Sequence, residues 1–280
     1  MIRATQSLLF AVIYSIYLVF VMGPVQGLVI RPLCALNPKL RPALLRWWFQ
    51  VQAHWVMGLA QWPGGMRLEH PGDLPAEPLI VVMNHQSMLD IPAGVALLSG
   101  PYPVIPIRDK YTRGFPGISG LSRLGNFPAL RQGERATRAE HTAMVGAAEA
   151  VERGERTLLL YPEGHRSPDG ELQPFMTQGL KLVFRHAGSR PVYVIVIDGA
   201  WRLRGLSDIA LRLSGRRVQL RVAGPFAIPA ERGDHEAFID SLRHVMTATL
   251  AAMRGLDVPG APESPGSRST PIAIHASLVG

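Results

Sequence analysis

The chain has 280 residues, 47% of them hydrophobic, and carries 29 Lys+Arg against 21 Asp+Glu, a formal charge of +8. That apolar content excludes a disordered chain and is enough for one α/β domain with an appendage. Only Lys39, Lys110 and Lys181 are lysines; the arginines are scattered, with no nucleic-acid module, so the basic balance points to phospholipid headgroups and away from nucleic acid. Cys34 is the single cysteine, which excludes an internal disulfide and a Cys-based metal cluster.

Leu8 to Met22 is apolar apart from Tyr14, Ser15 and Tyr17, and the run resumes through Val25, Leu28, Val29 and Ile30. Crossing a bilayer takes ~20 such residues. Gly23, Pro24 and Gly27 interrupt the run, so a kinked or dipping anchor fits as well as a clean span. Arg3 followed by an apolar stretch has the outline of a signal peptide, but no small-x-small site follows and Arg31-Pro-Leu-Cys34 is not a lipoprotein box; retention is expected. Arg31, Lys39, Arg41 and Arg46 cluster after the run; if the segment spans, this bias places the body on the cytoplasmic side of the cell membrane.

Residues 40–62 form a second helical candidate holding Trp47, Trp48, Trp55 and Trp62, four of the five tryptophans. Indole rings favour the headgroup level, so this helix reads as the second half of a membrane anchor, or as a helix packed on the domain core. The expected organisation is membrane-anchoring helices over 1–62, an α/β domain over 63–257, and a Pro-, Gly- and Ser-rich disordered tail over 258–280.

Within the body, short apolar runs alternate with longer helical stretches. Strands are expected at 79–83, 104–107, 126–130, 157–161, 192–197 and 218–223, and helices at 89–98, 113–124, 135–153, 179–187 and 235–253. The pattern implies an α/β fold, a mixed sheet flanked by helices.

Two strand ends carry the chemistry. The run Leu79-Ile-Val-Val-Met-Asn-His85 ends in a histidine, with Asp90 five residues on. A histidine oriented by a carboxylate is a general base; alone, the segment is equally a turn with a helix cap. The run Leu158-Leu-Leu-Tyr-Pro-Glu163 continues as Gly164, His165, Arg166 and Ser167. Gly164 permits close backbone approach and Arg166 offers a planar fork for phosphate, or these are a loop with a surface ion pair. No Gly-x-Ser-x-Gly elbow surrounds Ser87, and no His, Asp and Glu spacing suits a metal.

Together the two stretches resemble the glycerolipid acyltransferases, the family that acylates lysophosphatidic acid. His85 with Asp90 is similar to that family's His-x4-Asp motif, and Tyr161-Pro-Glu-Gly-His-Arg-Ser167 to its Phe-Pro-Glu-Gly-Thr-Arg-Ser motif. Gly125-Asn-Phe-Pro-Ala-Leu-Arg131 resembles the intervening Gly-Asn-x-x-Ile-Asp-Arg block, and Lys110 lies where a basic residue often precedes it. Departures are Leu130 for an acidic residue, His165 for Thr, a missing Lys after Phe175, and Tyr193 near an expected Pro.

The resemblance implies an O-acyltransferase of phospholipid biosynthesis. It would use acyl-CoA or acyl carrier protein as donor substrate, 1-acyl-glycerol-3-phosphate as acceptor, and no cofactor. It implies His85 as base, Asp90 as its orienting partner, and Arg131, Glu163, Gly164, Arg166 and Lys110 as substrate-binding residues. Other readings are acylation of lyso-ornithine lipid, lysophosphatidylglycerol or glycerol 3-phosphate, or a non-catalytic lipid-binding membrane protein.

Overall fold

The computed structural model describes residues 2–131 and 136–256; the expected tail over 258–280 lies outside the described residues, as does Arg135. Among the described residues eight strands follow two N-terminal helices: β1 (Arg67–Glu69), β2 (Ile80–Met83), β3 (Pro103–Val104), β4 (Ile107–Arg108), β5 (Ala129–Leu130), β6 (Thr157–Leu160), β7 (Val192–Asp198) and β8 (Arg217–Phe226). Six form one mixed sheet in the order β1-β8-β7-β2-β6-β3, in which only the β7–β8 pair is antiparallel.

The central strands β2 and β6 are buried at every position, as expected of parallel strands covered on both faces. The side chains of β2, β6 and β7 alternate between two cores. Val81, Met83, Leu159, Ile195 and Ile197 face one; Ile80, Val82, Leu158, Leu160, Val194 and Val196 face the other. Helices Arg138–Glu152, Thr177–His186 and His235–Met253 close the second core, with Met144, Phe184 and Leu242 among the fillers. Helices Arg41–Gln61, Asp90–Ala96 and Leu206–Arg212 close the first.

The helix Arg41–Gln61 therefore serves the domain core with one face and leaves the other apolar and open. Leu45, Trp48, Phe49, Val56 and Met57 are buried, whereas Trp47, Val51 and Trp55 are exposed. The preceding segment is one continuous helix, Ile2–Leu36, long and apolar enough to cross a membrane. Gly23 and Pro24 do not end it; the chain absorbs them with π turns at Tyr17–Met22 and Gln26–Ile30. Its contacts with the body run along its length. The N–H of Ser214 donates to Ser7 Oγ at 2.9 Å, Tyr17 Oη donates to Gln52 Oε1 at 2.7 Å, and Gln26 lies so close to Gly120 that a Cβ there would meet its Oε1 at 2.1 Å.

Local corrections have local causes. The expected strand over 104–107 splits into β3 and β4, because Pro106 lacks the N–H a continuous ladder needs. β4 pairs instead with β5 in a separate parallel ribbon. The strand expected from 126 begins only at Ala129: Asn126 has φ 50° and ends the preceding helix, with the Phe127 N–H donating to the Ser122 carbonyl. That helix is Ile118–Leu124 and does not start at 113, since Gly114 and Gly117 sit at φ 77° and 71°. β1 and the helix Leu206–Arg212 escape the periodicity because both are short.

Candidate active site

β2, β6 and β7 run parallel, so the loops leaving their carboxyl ends meet at one edge of the sheet, where open α/β sheets place their ligands. Beyond β2, Asn84 is buried and grips β7. Its Nδ2 donates to the Ile197 carbonyl at 2.9 Å and its Oδ1 accepts the Ile197 N–H at 2.7 Å. This fixes the backbone one residue before His85.

The chain then turns back through Ser87 into the helix Asp90–Ala96, so that the five-residue spacing closes on itself. His85 Nδ1 and Asp90 Oδ2 are 2.9 Å apart, with the histidine side chain 16% exposed and the aspartate fully buried. The same Oδ2 accepts the N–H groups of Gln86 at 2.5 Å and Ser87 at 2.6 Å. Three donors on one oxygen, in the first turn of a helix, hold the carboxylate in place. With Nδ1–H donated to Asp90, Nε2 is the nitrogen that presents a lone pair. Ser87 Oγ is buried and donates to the Leu203 carbonyl at 2.5 Å. It is committed to structure.

The second motif folds over the first. The Tyr161 ring packs on the His85 ring with centroids 4.5 Å apart, and burial, with Asp90 nearby, pushes its phenol well above the usual value. Glu163 is buried. Its Oε1 accepts the His85 N–H at 2.7 Å and its Oε2 accepts the Gln173 N–H at 2.8 Å. Burial pushes this carboxyl up to about 7, although the two backbone bonds pull it down. The Ser167 N–H donates to the His85 carbonyl at 2.7 Å, so both peptide groups of His85 are held by the second loop. Gly164, at φ 67°, turns the chain beneath Met176.

The basic candidates divide. Arg108, which sequence reasoning passed over, ends β4 and donates through Nη2 to the Gly164 carbonyl at 3.3 Å. Its register partner is Leu130, so Arg131 follows beside it, and the Arg131 N–H donates to Glu140 Oε1 at 2.6 Å. Lys110 is exposed two residues beyond Arg108, with Nζ 5.1 Å from the Tyr111 ring centroid. The ribbon thus brings Arg108 against the Gly164 loop, with Arg131 following its cross-strand partner and Lys110 two residues beyond it. Arg166 turns the other way, and its Nη1 donates to the Arg204 carbonyl.

Two further supports were not legible as site residues. Gln86 is buried; its Nε2 donates to the Gly170 carbonyl and to Asp198 Oδ1, both at 3.2 Å, and its Oε1 accepts the Ala200 N–H at 3.1 Å. Behind it, Arg254 holds Asp198 through Nε at 3.0 Å and Nη2 at 2.9 Å, and donates to the Gly170 carbonyl at 2.8 Å. Burial would raise the Asp198 carboxyl, but Arg254 and Gln86 outweigh it and hold it below the usual range. Position beside His85 is the one sequence signal for Gln86; nothing in the sequence marks Arg254.

Residues 66–198 match the family model described as Acyltransferase. This domain belongs to the acyltransferase family. The resemblance carried by the two motifs is borne out at that level, and both motifs lie inside the matched span. The structure is similar to the crystal structure of the 1-acyl-sn-glycerophosphate (LPA) acyltransferase PlsC from Thermotoga maritima, with TM-score 0.67 and 22% sequence identity over 91% of this chain and 97% of that one. At that identity the likeness speaks for the fold. No curated protein matches the sequence. Around the acyltransferase domain, the helices Ile2–Leu36 and Leu206–Arg212, the strand β8 and Arg254 lie outside the matched residues.

Proposed function

We propose that the chain moves a fatty acyl group from an acyl thioester to the free hydroxyl of a lysophospholipid, with 1-acyl-glycerol-3-phosphate as acceptor and phosphatidic acid as product. The observation that supports this most is the 2.9 Å contact of His85 Nδ1 with the buried Asp90, with Arg108 reaching the second motif at the Gly164 carbonyl. The acceptor hydroxyl attacks the thioester carbonyl while His85 Nε2 takes its proton. The oxyanion collapses, the C–S bond breaks, and the imidazolium returns the proton to the leaving thiolate. Asp90 orients the ring and stabilises the cation in between, and the base contributes roughly 10²–10⁴ in rate. Arg131, Arg108 and Lys110 bind the acceptor phosphate. Gly164 lets the loop pass close to them, Arg166 ties that loop to the Arg204 carbonyl, and Glu163 holds His85 in place. The donor, acyl-CoA or acyl carrier protein, is a substrate, and no cofactor is needed for these steps.

The Thermotoga maritima protein of similar fold is a 1-acyl-sn-glycerophosphate acyltransferase, which motivates the choice of acceptor. Lysophosphatidylglycerol, lyso-ornithine lipid and glycerol 3-phosphate are the competing acceptors. Residues 1–62 serve as the anchor and the acyltransferase body that follows as the catalytic domain. The helix Ile2–Leu36 touches the body at Ser7 and again at Gln26, positions about 30 Å apart along a helix. Standing it across a bilayer would carry the body into hydrocarbon. The helix therefore lies in the plane of the cell membrane, on its cytoplasmic face in this reading, with Trp47 and Trp55 at the headgroup level.

The test is a panel of lysolipid acceptors with one labelled acyl thioester, run on wild type and His85→Ala. Wild type is expected to label phosphatidic acid, and His85→Ala to lose transfer by 10²-fold or more with folding intact. Full transfer by His85→Ala would sink the reading, and labelling of a different product would replace the acceptor.

A further inference from the structure

Arginines from four separate stretches meet at one corner of the molecule. Arg3 leads the N-terminal helix, and its Nε would lie 3.1 Å from a Cβ on Gly215. Next to that glycine, Arg216 Nε donates to the Arg212 carbonyl at 3.1 Å; burial, and then the charges of Arg202 and Arg212, work against its own charge. The Arg67 N–H donates to the Arg216 carbonyl at 2.7 Å, which brings the exposed Arg67 side chain to the same edge. Asp208 is engaged by Arg212 at 3.7 Å and Glu69 by Arg217 at 2.6 Å. Among the described residues no ion pair is formed by Arg3, Arg67, Arg202 or Arg216.

The same corner exposes large apolar groups. Trp62 is 84% exposed, and the Gly64–Gly65 turn that follows it packs on Leu213 and Ser214. Leu206 and Leu211 project from the helix Leu206–Arg212, and Ile2 projects beside Arg3. Like charges that outnumber the carboxylates beside them repel one another, and grouped apolar exposure marks a partner surface. A bilayer carrying acidic headgroups relieves both at once: lipid phosphates compensate the guanidinium groups, while the indole and leucines enter the interface. The exposed apolar face of Ile2–Leu36 continues directly from this corner.

We propose that Arg3, Arg67, Arg202 and Arg216, with Trp62, Leu206 and Leu211, form a docking corner for anionic phospholipid. It makes membrane association selective for acidic bilayers, and it lies largely outside the acyltransferase-family residues. It rests on the in-plane membrane reading above and not on acyl transfer.

The experiment compares flotation of the full chain with vesicles of phosphatidylcholine alone and of phosphatidylcholine with about one third phosphatidylglycerol. The variants are Arg67→Gln/Arg202→Gln/Arg216→Gln and the charge-keeping Arg67→Lys/Arg202→Lys/Arg216→Lys. A basic residue at an acidic surface is worth roughly fivefold in partition, so the Gln variant is expected to lose on the order of a hundredfold on acidic vesicles. Partition onto neutral vesicles stays unchanged, and the Lys variant keeps the acidic-vesicle binding. Equal loss on both vesicle types, no loss on acidic ones, or the same loss in the Lys variant would overturn the proposal. Transfer in detergent micelles is expected to be unchanged in the Gln variant. Absence of transfer by wild type there would count against the catalytic reading alone.

Discussion

The His85 N–H donates to Glu163 at 2.7 Å, and the Ser167 N–H donates back to the His85 carbonyl at the same distance. The second motif therefore holds the backbone of His85 on both sides. With the other Glu163 oxygen accepting the Gln173 N–H, each carboxylate oxygen already has a backbone partner. Its task in this geometry is to position His85.

Replacing Glu163 separates position from charge. Glu163→Gln keeps one acceptor oxygen and turns an amide group toward an N–H, so one buried backbone donor loses its partner. The expected cost is about 1–3 kcal/mol of stability and a fall in kcat larger than any change in KM. Urea unfolding and steady-state kinetics measure both. A rise in KM alone, with kcat intact, would assign Glu163 to the acceptor.

The same carboxyl sets a pH dependence of stability. Its folded value is about 7 against an ordinary 4.5, so the folded state binds the proton more tightly than the unfolded chain. The contribution is full below about pH 4.5 and is lost as pH rises through 7, a span worth on the order of 3 kcal/mol. Glu163→Gln is expected to flatten the wild-type decline across that window. Parallel declines in both proteins would remove Glu163 as its source.

Ser87 offers a contrast in the same loop. Its hydroxyl donates to the Leu203 carbonyl and accepts the Leu89 N–H at 3.2 Å, so Ser87→Ala is expected to cost about 1 kcal/mol and leave kcat within a few-fold. Complete loss of transfer by a folded Ser87→Ala protein would call for a covalent serine mechanism.

Arg254 tests how far the support extends behind the site. Arg254→Met leaves Asp198 half-buried without its partner and frees the Gly170 carbonyl that Gln86 also reaches. Both side chains keep some exposure, so the loss is expected near 2 kcal/mol, below that of a fully buried pair. Asp198 is held below its ordinary 3.8, so the stability it contributes is present above that value and lost as pH falls below it. Chemical unfolding at pH 7 and pH 3 is expected to show a smaller gap between variant and wild type at the lower pH.

What the sequence made legible was what local pattern encodes. Apolar runs ending in His85 and Tyr161 marked β2 and β6, and the spacing of Asp90 anticipated the closed turn. The rest depends on partners remote in the chain. Arg108 enters the site because β4 pairs with β5 and not with the main sheet, a choice set by Pro106. Arg254 reaches Asp198 across 56 residues, through a helix whose sequence reports only its own periodicity. The helical pattern runs back to 135, whereas the helix Arg138–Glu152 starts where Thr137 and Glu140 form a capping box. The tryptophan-rich helix carried two readings because both of its faces are apolar, one for the core and one left open.

Gly164 joins backbone conformation to the site. It sits at φ 67°, where a side chain is strained, and an added Cβ would lie 2.4 Å from Met176 Sδ. Gly164→Ala therefore meets two penalties, a left-handed backbone worth roughly 1–2 kcal/mol and a clash that a flexible thioether can partly escape. Relief by rotating the peptide would move the Gly164 carbonyl away from Arg108 and pull on Glu163 one residue before it. The expected result is a kcat loss of about tenfold or more together with reduced stability. Adding Met176→Ala removes the clash and leaves the backbone strain, so the double variant is expected to recover only part of both losses. Full recovery would show that sterics alone required the glycine, and no recovery would place the whole effect in the backbone turn.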